Sequence, residues 1–579
     1  MALGVFIQLA EEGSRMTGIP PDLLRLAFCL VFSYPGCAIL KRLPDNNTLV
    51  KELFIMSVSL FYLLGVFSMW GGVRTLLIST LATYYITKKW PSSPFMPWAN
   101  FLFVMAHLFT NHIANQIKEA GELYDPNVID ITGAQMVLCM KLSAFGWNVY
   151  DGTQPQGSLS DFQKMRAVKK HPSLLDFVTY AFFFPSVLTG PSFDYEEFRQ
   201  WIDLSMFDVT ANDPKRGRAV NRKIPRSGRV ATLKALEGVL WIVVWVLVTS
   251  YFNLDYALSP KFTSELNFVL KMLYLYVLGF SYRLKYYGAW SISEGSCILA
   301  GIGFNGKTKS GKYKWDRVKN IDPWKFEFGQ NTFTLLEAWN MNTNKWLKNY
   351  VYLRVTPKGK KPGFRSTLAT FFTSAFWHGT RPGYYLTFVT GAFFQALGKI
   401  FRRNLRPIFL EADGVTPGPY KKYYDILTWV TVQLGFGYMV QPFMILEFGP
   451  SLRLWSTVYF CVHLFIALVI LLFYGPYKRT VTGYLNSLRP KETTIKPADK
   501  LKMDAEKLRQ LQHELRVLSS NEPSLGVPQP DFEDFDDDVK EAIAEFEALK
   551  NEIARDIDAL RPKVDKEPLK NAKPQSKRQ

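Results

Sequence analysis

The stretch "FFTSAFWHGTRPGYYLTFVTGAFFQAL" (residues 371–397) is apolar or aromatic over most of its length, yet it holds one histidine, His378. An ionisable group in such a run is costly in lipid and marks function more often than accident. Ser374 stands four residues earlier, on the same face of a helix. Gly379, Pro382 and Gly383 follow, and a helix stops at such residues. The stretch reads as two membrane helices, 365–379 and 383–400, with the histidine at the break. A side chain there reaches a cavity without crossing lipid, and a neutral imidazole is suited to general-base work.

The rest of the chain agrees with a membrane setting. Of 579 residues, 48% are hydrophobic and 15% aromatic, with a net charge of +19. From Lys478 onward acids and bases balance, so the whole excess belongs to residues 1–477. There the bases lie in loops between apolar runs, as in "KRGRAVNRKIPRSGR" (215–229), "NGKTKSGKYKWDRVK" (305–319), "RVTPKGKKPGFR" (354–365) and "RRNLR" (402–406). Cationic loops between apolar segments follow the positive-inside rule, which puts them in the cytosol. The same placement argues against nucleic-acid binding, where basic runs lie on polar segments.

Apolar segments fall near 20–40, 51–70, 71–87, 94–112, 131–148, 172–190, 230–252, 263–282, 285–303, 365–379, 383–400, 424–447 and 453–474. Several are short or interrupted, so the expected fold is an all-α polytopic membrane protein of about 11 spans, some tilted or re-entrant, around an internal cavity. Two domains are expected: a multi-span membrane domain over 1–477 and a cytosolic charged tail over 478–579. In the tail Leu501, Leu508 and Leu515 repeat at heptad spacing, and Val539, Ile543, Phe546, Ile553, Ile557 and Leu560 keep a 3–4 spacing; a helical hairpin or short coiled coil is one reading and solvated, partly disordered helices are the other.

The five cysteines show no paired spacing and read as small buried residues. Histidine, cysteine and carboxylate side chains do not cluster at ligand spacing, so no metal is expected. Of the six histidines, His107, His112 and His171 at span ends, His463 within the last span and His513 in the tail read as satisfied or snorkelling side chains. Glu294 in "WSISEGSC" reads either as an acid lining a headgroup pocket or as one bonded to a neighbouring helix, with the second preferred.

Upstream of His378 lies "LLEAWNMNTNKWLKNYVYLRV" (335–355). Read as one helix, it puts Trp339, Trp346, Leu347 and Tyr350 along one side and Asn340 with Asn344 on another. Asparagines in an apolar helix need hydrogen-bond partners, which helix bridging or a substrate could supply.

"WNMNTNKWL" together with "SAFWHGTRPGYYLTF" resembles the signature of the membrane-bound O-acyltransferases. The nearest branch is the lysophospholipid acyltransferases, and "YVYLRVTPKGKKPGF" resembles fungal, broad-specificity members of the endoplasmic-reticulum membrane. The resemblance covers roughly 20–480, with its specific motifs in 336–390. It implies acyl transfer from acyl-CoA to the hydroxyl of a lysophospholipid, in a tunnel through the membrane core, with acyl-CoA as cosubstrate and no bound cofactor. His378 matches the family's catalytic histidine and Asn340 its second polar residue. Asn344, Tyr352 and Ser374 match by offset positions lining the acyl-CoA path. Sterol and diacylglycerol enzymes of the same superfamily carry an aromatic run before the asparagine, where this chain has "FTLLEAWN". A protein acceptor is a further alternative; a transporter would need charged residues across several spans and paired broken helices in two halves.

Overall fold

The computed structural model describes residues 4–119, 129–210, 224–308, 311–356 and 364–490. Among them helix is the only extended element, with two isolated bridges, Lys307 to Tyr313 and Leu410 to Pro417. The helices used below are α1 (Gly4–Thr17), α2 (Pro21–Leu40), α3 (Thr48–Leu60), α4 (Trp70–Lys89), α5 (Met96–Glu119), α6 (Thr132–Gly152), α7 (Gly228–Thr249) and α8 (Phe268–Ala300). They continue with α9 (Thr332–Ala338), α10 (Met341–Leu347), α11 (Phe364–His378), α12 (Pro382–Asn404), α13 (Lys421–Met439), α14 (Phe448–Ser456) and α15 (Cys461–Tyr474). Apart from a last short helix, Lys478–Ser487, the expected tail hairpin lies outside the described residues.

Three stretches are long and apolar enough to cross a membrane: Pro21–Leu40, Thr48–Val66 and Gly228–Leu258. α14 and α15, bent by 77° at their break, make a fourth if they form one span. This is fewer than the apolar segments predict among the described residues, and α6 shows one reason. It is buried on nearly every side and carries Gln135, Lys141, Ser143, Asn148 and Asp151 inward, so protein surrounds it although its composition is mixed.

Two expected boundaries are corrected. The segments 263–282 and 285–303 are one helix, α8, 33 residues long. At 1.5 Å per residue it runs about 50 Å, well beyond a hydrocarbon core of about 30 Å, so it is one tilted or protruding rod. Asn267 caps its start, accepting from Leu270 N at 3.0 Å, and Gly301 ends it at a φ of 104°. The segment 172–190 is no span: its helix covers only Leu174–Ala181, and Pro185 and the Gly190–Pro191 pair keep the remainder out of helix.

α7 lies against α8 through glycines. A methyl on Gly238 would sit 2.8 Å from Gly288 O, a backbone approach that only small residues allow between membrane helices. The far side of α7 leaves Val239, Leu240, Val243, Val246 and Leu247 exposed, as a lipid-facing surface requires.

The buried apolar residues form two main cores. One unites α2–α6, the segment 177–207 and the end of α8 with Trp346, Leu347, Tyr350 and Trp377. The other unites the start of α8 with Leu335 and Ala338 of α9 and with α12–α15. The Trp-Asn segment and the histidine helix both sit at the seam between them.

Candidate active site

The Trp-Asn stretch is not one helix. α9 ends at Ala338, α10 starts at Met341, and Asn340 between them takes the left-handed conformation, φ 43° and ψ 54°. Asparagine tolerates this region better than most residues. The break also separates the tryptophans that a continuous helix would align. Trp339 packs on α8, against Tyr286 at 5.7 Å and Trp290 at 5.2 Å. Trp346 turns to α6, donating from Nε1 to Ser143 Oγ at 2.8 Å. The break is the point where the chain leaves one core for the other.

A neighbouring loop holds that turn. Met341 N donates to Asn320 O at 2.8 Å, and Asp322 N donates to Ala338 O at 2.9 Å. Asn342 donates from Nδ2 to Asn320 Oδ1 at 3.0 Å and to Val318 O at 3.3 Å, so this buried asparagine ties the loop to α10. Asn344 donates from Nδ2 to Leu336 O and Trp339 O, both at 2.5 Å, and thereby satisfies carbonyls at the end of α9. Asn340 itself accepts from Thr343 Oγ1 at 2.8 Å through its side-chain oxygen. Its amide nitrogen has no protein partner among the described residues and is a free donor.

Further along, Tyr350 donates to Asp194 Oδ1 at 2.9 Å, and Arg166 Nε donates to Asp194 Oδ2 at 2.7 Å. Tyr350 also lies 2.9 Å from Asn148 Oδ1 of α6, so these buried polar contacts anchor the far end of the segment to α6 and to Asp194. Tyr352, two residues after Tyr350, is buried, and Thr356 Oγ1 donates to its carbonyl at 2.8 Å.

α11 ends on His378 and α12 resumes at Pro382, as the glycines and proline predict. The imidazole is half-buried in an aromatic box: Trp377 at 4.7 Å, Phe443 at 4.9 Å, Phe388 at 5.2 Å and Tyr384 at 5.5 Å between ring centroids. No protein group among the described residues hydrogen-bonds it. Ser374, one turn back, is buried on the same helix. The two catalytic candidates are linked through their neighbours. Trp346 and Trp377 rings lie 5.9 Å apart, and Leu336 of α9 packs with Phe371, Phe388 and Ala392.

A cavity of about 590 Å³ opens beside the turn, lined by Thr380, Pro382, Leu386, Thr390, Phe448 and His463 among others. It lies along α12 on residues other than Tyr384 and Phe388, which face His378. His463 is bonded, to Tyr438 Oη at 2.7 Å and Thr390 Oγ1 at 3.2 Å, as expected of a satisfied side chain. Glu294 is buried 3.8 Å from Lys234 Nζ on the neighbouring α7.

His112, read from the sequence as a satisfied span-end residue, is more than that in one respect: its Nε2 lies 3.2 Å from Trp377 O, next to the candidate base. His112, Gln116 and Glu119 share one helical face at the polar end of α5, but that spacing does not point to a backbone carbonyl as the partner.

A family model, that of the membrane-bound O-acyltransferase family, matches residues 125–441. The chain is 48% identical to the "Lysophospholipid acyltransferase" of Saccharomyces cerevisiae, over 90% of this chain and 89% of that one. To the "Lysophospholipid acyltransferase" of Schizosaccharomyces pombe it is 43% identical, over 91% and 98%. To the "Membrane-bound glycerophospholipid O-acyltransferase 2" of Gallus gallus it is 31% identical, over 66% and 70%.

Proposed function

The chain belongs to the membrane-bound O-acyltransferase family, and on that premise we infer a lysophospholipid acyltransferase that moves a fatty acyl group from acyl-CoA to the free hydroxyl of a lysophospholipid, giving a diacyl phospholipid. One observation carries the assignment of roles: two helix breaks at one seam each present an uncommitted polar group, the His378 ring and the Asn340 amide.

The lysophospholipid hydroxyl is a poor nucleophile until its proton is removed. His378 takes that proton as the oxygen attacks the thioester carbonyl. The Asn340 amide donates to the oxyanion that develops, an interaction of a kind worth about 3 kcal/mol. The tetrahedral intermediate then expels the CoA sulfur, which recovers the proton from the imidazolium and leaves as thiol, so no acyl-enzyme forms. The aromatic box keeps water from His378 and limits hydrolysis of the thioester. Ser374, Tyr352 and Asn344 line or shape the acyl-CoA path in this reading, and the apolar cavity along α12 suits an acyl chain entering sideways from the bilayer. The enzyme sits in the endoplasmic-reticulum membrane with about 11 spans around its tunnel, basic loops to the cytosol, and uses no bound cofactor.

Microsomes carrying the wild-type chain, given labelled oleoyl-CoA and separate lysophospholipid, sterol, diacylglycerol and peptide acceptors, are expected to label diacyl phospholipid. His378→Ala is expected to make essentially none at equal abundance. Label appearing only on sterol, diacylglycerol or peptide would change the acceptor class, and full rate in His378→Ala would remove the base.

A further inference from the structure

The turn that carries His378 is gripped by one face of α5. His112, Gln116 and Glu119 are spaced four and three residues apart, so they line a single stripe at the end of that helix. His112 Nε2 meets Trp377 O at 3.2 Å. Thr380 Oγ1 donates to Gln116 Oε1, and the Arg381 guanidinium pairs with Glu119. The three partners, 377, 380 and 381, bracket His378 on both sides. Ring stacking adds to the grip one turn earlier, with Phe109 on Phe376 at 4.2 Å and 10°.

The last carbonyls of a helix lack intrahelical partners. In α11, Gly379 N donates to Ala375 O at 3.1 Å, while His112 serves the carbonyl of Trp377. Gly379, at a φ of 138°, is what lets the second histidine come so close: a methyl there would lie 3.2 Å from His112 Nδ1. His378 has no hydrogen bond of its own among the described residues, so its orientation depends on its packing and on how this turn is held.

We propose that His112 is a positioning residue for the acyl transfer, and that with Gln116 and Glu119 it forms a clamp on α5 that fixes the His378 imidazole against the acceptor hydroxyl. The proposal rests on His378 being the base of that reaction. A clamp of this type acts on the rate of the chemical step, because a displacement of about 1 Å in a catalytic group can cost about a hundredfold. It touches neither substrate, so apparent affinity is left nearly alone.

The test measures kcat and KM in microsomes for labelled oleoyl-CoA with a lysophosphatidylcholine acceptor, normalised to the amount of each variant. His112→Ala is expected to lower kcat about ten- to a hundredfold with both KM values within about twofold. His112→Gln, whose amide can still donate to Trp377 O, is expected to recover most of the loss. Thr380→Val, which removes only the bond to Gln116, is expected to lower kcat several-fold and carries the test should His112→Ala not accumulate. A wild-type kcat in His112→Ala, or a His112→Gln as impaired as the alanine variant, would overturn the clamp. Absence of transfer in the wild type would overturn the reaction itself, a separate result.

Discussion

The two helix breaks at the seam are held by opposite means. The Asn340 turn is fixed by a loop about twenty residues upstream, mostly through backbone groups and two asparagine side chains, Asn320 and Asn342. The His378 turn is fixed by side chains of a helix 265 residues earlier in the chain, and its own ring is left to aromatic packing. The first arrangement is local and needs a particular backbone shape; the second is assembled only when distant elements dock. A donor aimed at an oxyanion gains from rigid backbone support, because its value depends on pre-set geometry. A base that must take up a proton and then give it away instead needs a ring free of competing hydrogen bonds.

The sharpest way to break this comparison is at Asn340. Asn340→Gly accepts the left-handed turn yet removes the amide, so it separates the shape of the turn from the donor. It is expected to lower kcat on the order of a hundred- to a thousandfold while abundance stays near wild type. A mild loss would show that the turn alone matters.

A smaller effect is expected at Asn320→Ala, which takes the side-chain acceptor from Asn342 and leaves buried groups unpaired. Destabilisation of about 1–3 kcal/mol is expected, read as a lowered thermal midpoint of the detergent-extracted protein, with kcat reduced about tenfold or less. Loss of kcat without any change in the thermal midpoint would show that the loop only aims Asn340. The smallest effect belongs to truncation after Pro490: turnover per molecule is expected to remain that of the full chain, and a drop would bring the tail into the site.

Much of this arrangement could be read from residue types. The helix break after His378 follows from Gly379, Pro382 and Gly383, and the helical membrane character follows from apolar runs between basic loops. The break at Asn340 could not be read that way. The residues from Leu335 to Val355 have ordinary helical spacing, and what interrupts them is a tertiary loop that bonds across the turn. Membership of α8 was hidden for a related reason. Arg283 falls in the gap between the segments 263–282 and 285–303, but it is paired with Glu327 at 2.9 Å inside the protein and the helix continues through it. His112 was undervalued because its partner is a backbone carbonyl, which no pattern of side chains announces.

α8 reaches from one core to the other without a break, placing Met272 and Leu275 in the second and Cys297 and Ile298 in the first. A rod that long answers a thinner bilayer by leaning over, since it cannot shorten. Past its midpoint it carries Tyr286 and Trp290, which press on the indole next to Asn340. A lean of α8 is therefore passed directly to the Trp339 indole, one residue before the left-handed turn.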